Sequence, residues 1–115
     1  MSLDVCLNVK ADTGNPETED IEVFWANITH NLNTMAYKAG IYYHCWRPDE
    51  IGISKAKELI QPLTDGLDRL KRFPVYFEQF NASNGWGLYE HFVPWVEKYL
   101  KACISNPNAT IGISR

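Results

Sequence analysis

Asn27-Ile28-Thr29-His30-Asn31 places four polar side chains where a strand pattern gives way to a helical one. Unpaired backbone donors at such a junction can hold an anion, and an imidazole there can act as general acid or base. The plainer reading is that Asn31 caps a helix and His30 is an ordinary, partly exposed histidine, because one histidine alone specifies no reaction. Asn84-Gly85-Trp86-Gly87 is the other distinctive string. Its glycines permit unusual backbone angles around a large ring on which a ligand could stack, or they let the chain turn while Trp86 tucks into a core. Thr29, His30, Asn31, Asn84, Gly85 and Trp86 are the candidate ligand-binding residues.

No complete catalytic set accompanies them. His44 and Cys45 are neighbours, but consecutive helical side chains diverge by about 100°, so they cannot face each other as a base and a nucleophile. His30, His44, His91 and the cysteines lack the close paired spacings of a zinc site, and the carboxylates are scattered. No metal or cofactor is expected. Cys6, Cys45 and Cys103 are odd in number without a Cys-x-x-Cys pair, which fits reduced, buried thiols in a cytoplasmic protein rather than a disulfide framework. Met1 to Lys10 resembles no signal peptide, and no apolar run approaches the roughly 18 residues that span a bilayer. Three Asn-x-Ser/Thr strings, at Asn27, Asn81 and Asn108, are therefore read as coincidences. The formal net charge of −3, with mixed charges around Lys55 to Arg72, argues against nucleic acid as a partner.

The elements that must position these strings follow from periodicity. With 115 residues, 45% of them hydrophobic and 22% charged, the chain suits one folded domain, 1–115. Leu3 to Val9 alternates as a strand, and Ile21 to Ile28 alternates as its hairpin partner with Ile21, Val23 and Trp25 on one side. Ala11 to Asp20 between them reads as a mobile connection. Asn31 or Asn33 caps a helix whose apolar face is Met35, Ala39, Tyr42, Tyr43 and Trp46, weakened at Gly40 and ended by Arg47-Pro48. Ser54 caps the next, with the stripe Ala56, Leu59, Ile60, Leu63, Leu67 and Leu70, in which Pro62 implies a kink or two shorter helices. Pro74 opens a short helix. A last long helix carries Leu88, Phe92, Val96, Tyr99, Leu100 and Cys103, interrupted at Pro94, before a strand at Thr110 to Ser114. The fold class is α+β: a small, mainly antiparallel sheet of about three strands, the N-terminal hairpin plus the C-terminal strand, covered on one face by three to four helices. The tryptophans, Trp25, Trp46 and Trp95 among them, are expected mostly in the core.

Taken together, Asn27-Ile28-Thr29-His30-Asn31-Leu32, Asn84-Gly85-Trp86-Gly87-Leu88-Tyr89-Glu90 and Ile111-Gly112-Ile113-Ser114-Arg115 resemble, in order and spacing, a family of small uncharacterised proteins of phages, prophages and bacterial genomes. The likeness covers most of the chain after Ile21 and carries no activity with it. It implies a cytoplasmic accessory protein that binds a host or phage component, and it marks the Thr29-His30-Asn31 and Gly85-Trp86-Gly87 strings as the places to look. The leading expectation is a non-catalytic interaction module with a protein partner or a homo-oligomer. The competing one is a small enzyme or small-molecule binder using His30 and the loop around Trp86.

Overall fold

A computed structural model describes residues 1–11 and 19–115. Strands β1 (Ser2–Ala11), β2 (Glu19–Thr29) and β3 (Thr110–Ser114) form an antiparallel sheet in the order β2-β1-β3. The N-terminal hairpin and the returning C-terminal strand are thus as the alternation predicts. Most of the connection expected at Ala11 to Asp20, residues 12–18, lies outside the described residues, while its two ends belong to the strands.

From Phe24 to Ile28 the face of β2 is the reverse of the expected one, whereas Ile21 pairs with Val9 on the expected, inner side. Leu3 pairs with Ile28, Val5 with Ala26 and Leu7 with Phe24, so these residues face inward and Trp25 lies opposite Cys6 on the outer side, 57% exposed. An irregularity between Leu7 and Asn8 leaves Val23 as an extra residue of β2. Both phases of β2 carry apolar side chains, so only its register against the fully buried Leu3, Val5 and Leu7 selects one. Cys6 is half-buried on the outer face rather than in the core.

The long helix expected before Arg47 is two: α1 (Asn33–Lys38), entered through a 3₁₀ turn at His30–Leu32, and α2 (Tyr42–Trp46). Gly40 does more than weaken the helix. At φ 79° it ends α1, with Ile41 N–H donating to the Ala36 carbonyl and Gly40 N–H to that of Tyr37, each at 3.0 Å. Arg69 Nε donates to the Ala39 carbonyl at 2.9 Å, and its guanidinium occupies the space into which a side chain at position 40 would project.

After a 3₁₀ turn at Ala56–Leu59 comes α3 (Ile60–Arg72). Ala56, Leu59, Leu63 and Leu70 are buried, whereas Ile60 and Leu67 are only half-buried. Ser54 is not the cap: Glu58 reaches back so that Oε1 accepts the backbone N–H groups of Lys55 (3.1 Å) and Ser54 (3.3 Å). Pro62 falls in the first turn of α3, where its missing N–H forfeits no intrahelical bond. Helix α4 (Pro74–Glu78) follows, then α5 (Tyr89–Ser105), which runs unbroken through Pro94. From α5, Phe92, Trp95, Val96, Tyr99, Leu100 and Cys103 enter one contiguous core with the inner sheet face. Phe24 stacks on Tyr99 with centroids 5.8 Å apart. Among the described residues, no helix is long and apolar enough to cross a membrane.

Candidate functional site

The two polar strings are 55 residues apart in sequence and meet in one cleft. Thr29 ends β2, and its Oγ1 accepts the backbone N–H of Asn31 at 3.2 Å, so Thr29, and not Asn31 or Asn33, caps the turn into α1. This turns Asn31 outward, where its Nδ2 donates to the Trp86 carbonyl at 2.7 Å. On the other side, Asn84 Oδ1 accepts the Trp86 backbone N–H at 3.0 Å, and Asn81 Oδ1 accepts that of Tyr89 at 2.7 Å, fixing the loop to the start of α5. Gly87, at φ 128°, lies so close to the string at 29–31 that a Cβ there would come within 3.0 Å of the Asn31 Cβ and 3.4 Å of the Thr29 Cγ2. Only glycine combines that backbone angle with that approach.

The resulting cleft measures about 720 Å³ and is lined by Asn27, Thr29, Asn31, Asn84, Gly85 and Trp86, with Met1, Ser2, Ile28, Leu32, Gly87 and His91 completing it. Five of the six sequence candidates therefore share one site. Trp86 is 72% exposed, contrary to the reading that tucks it into the core; the loop's hydrogen bonds hold its backbone at the surface. Each lining asparagine has one amide atom committed: Asn31 to Trp86, Asn84 to Trp86, and Asn27 Nδ2 to Asp4 Oδ1 at 2.6 Å. The other amide atoms, Oδ1 of Asn27 and Asn31 and Nδ2 of Asn84, have no protein partner among the described residues. Each side chain is thus oriented while keeping a free donor or acceptor. Apart from His91, the lining side chains carry no ionisable group.

His30 is the exception among the candidates. It does not line the cleft; its Nδ1 accepts a part-buried hydrogen bond from Trp46 Nε1 at 2.9 Å, which ties the 3₁₀ turn to α2. Its role is to satisfy the indole of a nearly buried tryptophan. His30→Ala should leave that donor unpaired and destabilise the protein by about 1–3 kcal/mol, read as a lower urea midpoint, while any ligand bound in the cleft keeps its affinity. The histidine that does line the cleft, His91, stands at the third position of α5. Periodicity placed it on that helix, but nothing in the sequence indicated that α5 starts beside Thr29.

Cysteine chemistry has no support in this geometry. Cys45 and Cys103 are buried; desolvation, with the neighbouring Cys103, pushes the Cys45 thiol far above its ordinary pKa, and desolvation pushes Cys103 up to about 12. Neither can supply a thiolate near neutrality. His44 is held below its ordinary pKa, first by desolvation and then by the Arg69 charge. No group of three or more His, Cys, Asp or Glu among the described residues is placed to hold a metal ion.

No protein-family model, curated protein or solved structure matches the chain.

Proposed function

We propose that the protein is a non-catalytic binding module whose ligand-engaging surface is the cleft between the β2–α1 junction and the Asn84–Gly87 loop. The observation that carries this reading is the Asn31–Trp86 hydrogen bond, which joins two distant polar strings around an exposed indole. A wall of pre-oriented amides beside one aromatic face suits a group with an apolar surface and a hydrogen-bonding edge. The rival reading, a small enzyme or small-molecule binder using His30 together with the loop around Trp86, has less support because the His30 ring is engaged with Trp46 away from the cleft. The likeness to small phage and prophage proteins adds a setting to the proposal: a cytoplasmic accessory protein whose partner is a host or phage component.

The test replaces Trp86 with a photo-crosslinking phenylalanine analogue in the producing cell and compares its products with those from the same analogue at exposed Lys57. Adducts specific to position 86 are expected. Trp86→Ala should lose the captured component in pull-down while its melting temperature stays within a few degrees, since an exposed side chain contributes little to stability. Equal recovery by the wild type and Trp86→Ala would remove the cleft from the function.

A further inference from the structure

The two edges of the sheet are treated differently by the fold. Along β3, Ile111 N–H donates to the Ser54 carbonyl at 3.0 Å, and Lys55 bridges to Thr110, so that edge is covered at its start, over Thr110 and Ile111. Along β2, no backbone hydrogen bond arrives from any described residue other than those of β1. An uncovered strand edge is a row of amide donors and carbonyl acceptors able to pair with another extended chain. Beside it, Ile21, Val23 and Trp25 are exposed apolar side chains, which a paired strand would partly cover.

Charge narrows the occupant. Glu19, Asp20 and Glu22 are exposed on β2, and of these only Asp20 has an ion-pair partner among the described residues, Lys10 at 3.4 Å. Carboxylates along an edge discourage pairing with an identical strand, the more so between chains that each carry a formal net charge of −3. The same carboxylates attract an extended segment bearing Lys or Arg. We infer that the β2 edge, from Glu19 to Ala26, is a second interaction surface that takes an extended basic segment of a partner polypeptide as an added fourth strand. This surface is separate from the cleft, although β2 ends in the cleft wall at Asn27 to Thr29.

The probe is a displayed library of random ten-residue peptides selected against the whole chain. Selected peptides should alternate apolar residues with Lys or Arg and bind more weakly as salt rises. On binding, they should slow hydrogen exchange at those β2 amides that do not pair with β1. N-methylation at alternate peptide positions should abolish binding, because strand addition depends on backbone donors. Glu22→Lys, at an exposed position, should weaken binding at least tenfold with the melting temperature unchanged, and Trp86→Ala should leave binding intact. The inference falls if no peptide is enriched, if selected peptides protect the cleft instead of β2, or if N-methylation has no effect. It falls equally if sedimentation shows β2 occupied by a second copy. None of these outcomes bears on the crosslinking result at position 86, so the two surfaces stand or fall separately.

Discussion

Leu63→Ala should cost about 2–5 kcal/mol, a large part of the roughly 5–15 kcal/mol that a domain of this size possesses. Leu63 is fully buried in α3, among core residues that include Leu59, Phe92 and Val96. Truncation removes the transfer energy of three heavy atoms and leaves a cavity that the helix–helix contact cannot close. Lys57, exposed in the 3₁₀ turn that leads into the same helix, supplies the control: Lys57→Ala should change stability by no more than about half a kcal/mol. Urea unfolding of both variants gives the comparison. Equal shifts of the midpoint would mean that Leu63 is not in the core and that α3 does not pack as described. Leu67→Ala should fall between the two, since Leu67 is half-buried.

The second large effect is alkaline. Cys45 and Cys103 both have folded-state pKa values raised above the ordinary 9.0, because burial penalises the thiolate. A thiol raised in this way binds its proton more tightly in the folded than in the unfolded chain. Its contribution to stability is therefore complete below pH 9 and is lost as the pH climbs towards the folded value. Together the two thiols should remove on the order of 2–3 kcal/mol between pH 8 and pH 10. Tyr99 adds to the fall above pH 10: its hydroxyl is buried without a hydrogen-bond partner among the described residues, and desolvation holds its pKa well above the usual value. Urea midpoints measured from pH 7.5 to 10 should decline, and the Cys45→Ala, Cys103→Ala double variant should show a distinctly flatter profile. A decline of unchanged slope in that variant would place its origin elsewhere. Before unfolding, a thiol reagent at pH 8 should label half-buried Cys6 ahead of both others.

The sequence by itself determined the element types and the sheet's composition. Alternation in Leu3 to Val9 and in Thr110 to Ser114 has a single apolar phase worth burying, and the Leu59–Leu63–Leu70 spacing fits only a helix with one buried face. The candidate strings were legible for a related reason: Thr29 to Asn31 and Asn84 to Trp86 break the surrounding apolar periodicity, and polar residues that interrupt a pattern mark turns and sites. Tertiary structure decided what local patterns leave degenerate. In β2 both faces are apolar, so register against β1 chose Phe24, Ala26 and Ile28 for the core and sent Trp25 outward. At the Gly40 break it is Arg69, 29 residues later, that satisfies the Ala39 carbonyl. Likewise the Trp86 ring stayed at the surface, His30 turned to Trp46, and His91 reached the cleft. Each of these outcomes rests on a hydrogen bond or a contact between residues far apart in the chain, and the energy of such a pairing is set by which elements pack together, a quantity that no window of neighbouring residues contains.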